Sequence, residues 1–232
     1  MNPLQTQLQT QLQQNAWTLL VSLPGNDIEL ARAALGAGAQ GLKVHINVEH
    51  FASGTRFGPL REERPKLAQI TELAREFGAN VGVVPGTLSN FASPADFREL
   101  AQIGIDYFDA YPADAPAWVF EQSDLSIMMA AFHGGNWDEF AGFEALGMTL
   151  CEASILGHES YGLPLSGLDL SQYRALAQKL SVPIIVPSQK KIVPSDVPAL
   201  QKTGVKGLLI GAIVTGRERS SLEAATLAFS GR

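Results

Sequence analysis

Charged and polar side chains recur at every second position in three apolar stretches of the chain. Lys43, His45 and Asn47 alternate in the first stretch, Asp109 lies between two tyrosines in the second, and Glu152 lies in the third. Successive side chains of a β-strand point to opposite faces, so residues two apart share a face. Lysine, histidine and carboxylate side chains transfer protons in enzymes. We therefore predict that Lys43, His45, Asp109 and Glu152 are catalytic.

These residues also allow a structural interpretation. A polar group that points into a protein interior must be paired, because burying it alone costs free energy. Lys43 and Glu152 would form an ion pair inside the protein, which is compatible with a role in proton transfer. For Lys43 and His45 the alternative is an internal polar network that does not touch substrate. Glu152 lies in an otherwise apolar strand, and we expect its pKa to be shifted.

The apolar stretches belong to a regular alternation of strand and helix signals. Helices repeatedly end in glycine just before the next strand, in the segments GAQGLKV, GANVGVV, GIDYFD, GMTLCE and GVKGLLI. This rhythm predicts parallel strands connected by helices. Eight repeats in 232 residues favour an α/β fold of the (β/α)8 TIM-barrel class, as one domain over 1–232, rather than an open sheet. The predicted strands are 17–23, 41–48, 80–85, 105–111, 125–132, 148–155, 183–187 and 207–214.

Helix signals flank the first predicted strand on both sides. Leu4, Leu8 and Leu12 recur every four residues, which predicts an extra helix over 1–15 that caps the floor of the barrel; low-complexity disorder is the alternative. Asn26 and Glu29 have the spacing of a capping box and predict the start of the next helix.

The strand ends predict a phosphate site. In a TIM barrel the loops after strands seven and eight commonly bind phosphate. Here SQKK follows strand seven and GAIVTG ends strand eight, and a glycine-bearing strand end before a helix exposes N–H groups that suit an anion. Lys190 and Lys191 would balance the charge of the phosphate; the alternative is that they are a solvated pair. The polar loops 53–58 and 157–164 are either lids over the barrel or ordinary surface loops. The predicted residues that bind phosphate or substrate are Ser22, Asn47, His133, Ser188, Gln189, Lys190, Gly211, Ala212, Thr215 and Gly216.

Composition excludes several classes of function. The net charge of −6 argues against nucleic acid or an anionic membrane as a partner. No apolar run reaches the length of a membrane span, and the glutamine-rich start lacks the features of a signal peptide. The single cysteine, Cys151, excludes an internal disulfide, fits a cytoplasmic protein, and is expected in the core rather than as a nucleophile. We expect no cofactor and no resident metal, and a homodimer is compatible with the sequence.

The histidines leave a metal-dependent alternative open. All four, His45, His50, His133 and His158, fall at or after predicted strand ends. A metal-dependent lyase or hydrolase built on His45, His133 and Glu152 is therefore a second hypothesis, although no short ligand spacing supports it.

The C-terminal third resembles a known group of barrels. The segment 162–216, GLPLSGLDLSQYRALAQKLSVPIIVPSQKKIVPSDVPALQKTGVKGLLIGAIVTG, resembles the last two units of the ribulose-phosphate-binding barrels and is most similar to the N-acylmannosamine-6-phosphate 2-epimerases. In this resemblance 186–189 corresponds to the end of strand seven, 194–196 to a helix start and 211–215 to the phosphate loop.

The resemblance implies an enzyme that acts on a sugar phosphate, as an isomerase, an epimerase or an aldolase-type lyase. The epimerases carry a lysine at the end of strand three and a glutamate in strand seven. This chain has Val84, Pro85 and Gly86 at the first position and Pro187 or Ser188 at the second. Proton transfer would therefore fall to the catalytic residues predicted above. A barrel that binds a phosphorylated ligand without catalysis is the third hypothesis.

Overall fold

The computed structural model describes residues 7–14 and 17–231. Eight parallel strands close into a barrel in which neighbours in sequence are neighbours in space, and strand one pairs with strand eight. This is the TIM-barrel fold that the alternation predicts. The barrel strands are β1 (Thr18–Ser22), β2 (Gly41–His45), β3 (Asn80–Val84), β4 (Tyr107–Ala110), β5 (Ser126–Phe132), β6 (Met148–Ser154), β7 (Ile184–Pro187) and β8 (Gly207–Ile210).

Helices surround the barrel and connect most of its strands. The connection from β4 to β5 contains a 3-10 turn, Ala117–Phe120, and a two-stranded hairpin, Glu49–His50 with Thr55–Arg56, rises from the loop after β2. The helices are α1 (Gln7–Gln14), α2 (Ile28–Gly36), α3 (Leu60–Glu76), α4 (Pro94–Gln102), α5 (Trp137–Ala145), α6 (Gly167–Lys179), α7 (Val197–Lys202), α8 (Ala212–Thr215) and α9 (Arg219–Ser230).

Two of the differences from the sequence predictions have causes in the hydrogen bonds. Strand eight ends at Ile210 instead of residue 214, because the amides of Val214 and Thr215 both donate to the carbonyl of Gly211 and turn the chain into α8. Helix α2 is capped by Asp27, whose carboxylate accepts from two first-turn amides, and the predicted capping box does not form. Asn26 instead reaches the backbone of β2.

The floor of the barrel is apolar. Leu8 and Leu12 of α1 are buried and pack against side chains from the lower ends of the strands, which is where the leucine repeat predicts a cap. Leu4 lies outside the described residues. The strand residues of this cluster are Leu20, Tyr107, Met128, Leu150, Ile185 and Leu209.

One step up β1, β4 and β6, the interior changes from apolar to polar. Two residues beyond Leu20, Tyr107 and Leu150 come Ser22, Asp109 and Glu152, on the same faces. Gly82 makes room for this arrangement: a Cβ atom there would lie 2.1 Å from the ring of Tyr107. Tyr107 therefore fills the barrel directly beneath the polar layer.

Within the described residues, the structure contains no helix that is long and apolar enough to cross a bilayer. Cys151 is buried in the outer core between strands and helices, and burial raises the pKa of its thiol. It is therefore a poor nucleophile.

Candidate active site

A cavity of about 310 Å³ opens at the carboxyl ends of the strands. Its floor is the polar layer above Tyr107, and its walls come from the ends of all eight strands and the loops that follow them. This is the face on which TIM barrels carry their active sites. All four predicted catalytic residues, Lys43, His45, Asp109 and Glu152, line this cavity.

Lys43 lies between two carboxylates at the floor of the cavity. Its Nζ donates to Asp109 Oδ2 at 2.9 Å and also to Glu152 Oε2. The three side chains are 8%, 3% and 8% exposed. They come from β2, β4 and β6, so the ion pair expected between Lys43 and Glu152 joins opposite sides of the barrel interior.

Burial and charge act on these groups together. Burial by itself would lower the pKa of Lys43, but the charges of Asp109 and Glu152 and their hydrogen bonds outweigh it and raise that pKa. For Glu152, burial and the neighbouring Asp109 raise the pKa to about 8, against the opposing charge of Lys43. Lys43 is therefore held as an ammonium, while Glu152 can gain or lose a proton near neutral pH.

His45 is completely buried beside this group. Its ring stacks on Phe57 at 4.8 Å and contacts His50 at 4.4 Å, and neither ring nitrogen has a hydrogen-bond partner in the described residues. Burial, with the charge of Lys43, lowers the pKa of His45 well below its usual value and that of His50 to about 4. Both imidazoles are neutral near pH 7. Asn26 fixes this strand end by donating to the carbonyl of His45 at 2.7 Å.

Hydroxyl groups form a second layer that the sequence predictions did not include. Tyr111 Oη lies 2.7 Å from Ser154 Oγ, and Tyr161 Oη accepts from Gln189 at 2.8 Å. All four residues line the cavity. Tyr111 and Ser154 lie two residues beyond Asp109 and Glu152 on the same strand faces, so period two could have identified them. Tyr161 lies in a loop, where no such signal exists.

A group of small and neutral residues lines the cavity at the ends of β1, β7 and β8; we call Ser22, Ser188, Gly211, Ala212 and Ile213 the phosphate cup. Ser22 Oγ is buried and has no hydrogen-bond partner among the described residues, and a Cβ at Gly211 would lie 3.5 Å from the Cβ of Ser22. The amide of Gly211 donates to Ser188 Oγ at 2.8 Å. The amides of Ala212 and Ile213 precede the first hydrogen bond of α8, which Val214 donates to Gly211. The cup thus offers uncharged donors of the kind that bind a phosphate.

Other predicted binding residues lie outside the cavity. Asn47 adopts a left-handed conformation with φ of 57°, and its side chain donates to the carbonyl of Pro85, so it shapes a turn. His133 is exposed, and its Nδ1 atom lies 3.3 Å from the carbonyl oxygen of Ile155.

Residues of the C-terminal loops that were predicted to bind phosphate are also held by other parts of the protein. Lys190 turns away from the cavity and pairs with the buried Asp169 at 3.5 Å, and the exposed Lys191 does not line it either. Thr215 donates to the carbonyl of Gly216, which ends α8 with a φ of 66°. Gln189 lines the cavity but is occupied in holding the backbone of Leu156 at both of its polar atoms.

The described residues contain no group of three or more histidine, cysteine or carboxylate side chains that could hold a metal ion. The proposed set of His45, His133 and Glu152 is therefore not assembled. His45 and Glu152 line the cavity, whereas His133 lies on the exposed side of its loop.

The hairpin after β2 and the polar loop 157–164 meet at the cavity through aromatic rings. Phe51 of the hairpin stacks on His158 with the ring centroids 4.8 Å apart and an interplanar angle of 10°. Tyr161 packs edge-on against both rings. Although 68% of Phe51 is exposed, these contacts close part of the mouth, which fits loops that cover a substrate.

Comparison with known proteins supports the fold. No protein-family model and no curated protein matches the chain. Thiamine phosphate pyrophosphorylase from Pyrococcus furiosus is 19% identical, with a TM-score of 0.67, over 94% of this chain and 95% of that one. A mutant tryptophan synthase α-subunit from Pyrococcus furiosus is 12% identical, with a TM-score of 0.74, over 94% and 99%. KGPDC from Streptococcus mutans is 11% identical, with a TM-score of 0.69, over 94% and 97%.

These identities are low, so the likenesses show the TIM-barrel fold and leave the reaction open. The similarity to the N-acylmannosamine-6-phosphate 2-epimerases stays a prediction from the C-terminal third.

Proposed function

We propose that the protein is an enzyme that transfers a proton next to a carbonyl group in a small phosphorylated metabolite. The observation that carries this proposal is the buried group of Lys43, Asp109 and Glu152 at the floor of the cavity, with the neutral donors of the phosphate cup at its rim. The name of one structural neighbour, thiamine phosphate pyrophosphorylase, describes an enzyme whose chemistry involves a phosphorylated small molecule.

The charges favour an isomerase or epimerase over a lyase that forms a Schiff base. A Schiff base needs a neutral amine, and the two carboxylates keep Lys43 protonated. As an ammonium, Lys43 instead donates a hydrogen bond to the oxygen that becomes negative when a carbon–hydrogen bond breaks. Glu152, whose pKa is raised to about 8, accepts the proton in its ionised form and returns it in its protonated form. Asp109 holds the Lys43 ammonium in place.

Two measurements test this proposal without knowledge of the product. The first is a thermal-shift scan against sugar phosphates, each paired with its unphosphorylated sugar, in which a ligand at 100 times its Kd adds about 2.7 kcal/mol to stability. The second is incubation of the stabilising compounds in D2O, with NMR detection of deuterium at the carbon next to the carbonyl.

We expect phosphorylated compounds alone to stabilise the protein and the wild type to incorporate deuterium. Glu152→Gln should slow that exchange by about 10²–10⁴-fold while leaving binding intact. Exchange at an equal rate in Glu152→Gln would refute the assigned role. Phosphate-dependent binding without exchange in any compound would favour the non-catalytic barrel.

A further inference from the structure

The described residues that line the cavity offer a substrate no unpaired lysine or arginine. Among the described residues that line it, Lys43 is the one lysine or arginine, and it is already paired with Asp109 and Glu152. His45 and His50 add no positive charge near neutral pH, because burial lowers the pKa of both. A phosphate dianion that binds in the cup therefore receives hydrogen bonds there but no charge from an unpaired lysine or arginine of the described lining.

Two carboxylates on one side of the barrel, Asp109 and Asp114, keep oxygens that Lys43 does not use. Asp109, Tyr111 and Asp114, which we call the β4 wall, belong to β4 and the turn that follows it, where the amide of Asp114 donates to the carbonyl of Tyr111. Asp114 is partly buried, and its Oδ1 accepts from the amide of Leu88 at 3.2 Å. Glu49, a further carboxylate of the lining, lies opposite Arg56 in the hairpin.

Two observations connect the β4 wall to a ligand. In the closed barrel β4 is four strands away from β8 in either direction, so the wall faces the phosphate cup across the cavity. Asp109 uses Oδ2 for Lys43, whereas its Oδ1 is buried and accepts no hydrogen bond from an amide, hydroxyl or ammonium group of the described residues. A buried carboxylate oxygen without a partner is unfavourable, and a ligand that donates a hydrogen bond would satisfy it.

We propose that the substrate carries an ammonium group at the end opposite its phosphate, and that the β4 wall binds this group. The ammonium would donate to Asp109 Oδ1 and to Asp114, against the ring of Tyr111, which adds a cation–π contact. Its charge compensates the phosphate in a cavity that would otherwise repel an anion. This inference rests on the proposed function for the phosphate end of the substrate.

The test uses four compounds that separate the two groups: 4-aminobutyl phosphate, 4-hydroxybutyl phosphate, 4-aminobutan-1-ol and butane-1,4-diol. Affinities are measured by isothermal titration calorimetry at pH 7 on the full chain. We expect the amino phosphate to bind at least about tenfold more tightly than the hydroxy phosphate, as for hydrogen bonds to charged groups. N-acetylation of the amine, which removes its charge, should abolish this preference.

The outcomes distinguish this inference from the proposed function. Equal affinity of the amino and hydroxy phosphates, or no binding of the amino phosphate at tens of millimolar, would overturn the ammonium site. If 4-aminobutan-1-ol binds as tightly as 4-aminobutyl phosphate, the result would support the ammonium site and overturn the phosphate cup.

A substitution at Asp114 tests whether the β4 wall binds the ammonium group. Asp114→Asn keeps an oxygen that accepts from Leu88 but removes the charge, and it should reduce the preference for the amino phosphate about threefold, the scale of a partly exposed ion pair. Asp124→Asn is the matched control, because Asp124 is exposed and precedes β5 at the floor end of the barrel. An amine preference that is unchanged in a folded Asp114→Asn protein contradicts the assignment to the β4 wall.

Discussion

Replacing Lys43 by methionine should destabilise the fold more at high pH than at low pH. The substitution keeps the length of the side chain but removes the cation between Asp109 and Glu152, whose side chains are only 3% and 8% exposed. Removing one partner of a buried ion pair costs about 3–5 kcal/mol, because the other charge stays buried without compensation. In a chain of this size that corresponds to a loss of about 6–20 °C in Tm.

The pH dependence follows from Glu152. Its pKa is raised from 4.5 to about 8 in the folded protein, so its contribution to stability is present below the lower value and is lost as pH rises through the higher one. Without Lys43 the folded pKa rises further, since the opposing charge is gone. Above about pH 8 the wild type stops losing stability on this account, because its Glu152 is ionised and paired, whereas the variant keeps the proton on Glu152 and continues to lose stability as pH rises.

Thermal unfolding followed by circular dichroism at pH 6 and pH 9 measures this effect. We expect the loss of Tm in Lys43→Met to be larger at pH 9, and the additional change Glu152→Gln to recover part of it. Lys179→Met is the control: Lys179 pairs with Asp138 at 2.6 Å but is 47% exposed, so its loss should stay within about 1 kcal/mol. An equal loss for both lysine variants, or a loss that does not change with pH, would refute the buried-pair argument.

Three further predictions concern the cup, the floor and the hairpin. Gly211→Val should abolish stabilisation by sugar phosphates in a thermal-shift assay while the protein stays folded, because the added side chain enters the cup; an unchanged shift would contradict the cup. Leu12→Ala should reduce the free energy of unfolding in urea by about 2–5 kcal/mol, whereas the exposed Gln13→Ala should have little effect; equal effects would show that α1 does not seal the floor. The pKa of His50 is lowered to about 4, so its contribution to stability is present above its usual value of 6.5 and is lost as pH falls through about 4. His50→Gln should therefore flatten the fall of Tm between pH 6.5 and pH 4, and an unchanged slope would assign that fall to other groups.

The sequence contained enough information for the fold and for the floor of the site. The glycine-ended repeats predict eight parallel strands, and a closed barrel puts all their carboxyl ends on one face. Period two within a strand then places Lys43, Asp109 and Glu152 in the interior, because local geometry fixes which residues share a face. The same rule extends to Tyr111 and Ser154, two positions further along their strands.

Loop residues could not be placed in this way. In the sequence Asn47 continues the alternation of β2, but in the structure the strand ends at His45 and the chain turns. Lys190 follows a strand end and has the right charge for a phosphate, yet Asp169 of α6 pairs with it. Side-chain direction in a loop depends on partners that are distant in sequence, and no local period reports them.

The sequence by itself therefore determined which residue types point into the barrel and at which end of the barrel they gather, because strand periodicity and the βα rhythm are local properties. Only the tertiary structure decided that Lys43 is held between carboxylates from two other strands, and that the acidic β4 wall faces the uncharged phosphate cup. These relations depend on closure of the barrel, which brings strands far apart in the chain to opposite sides of one cavity.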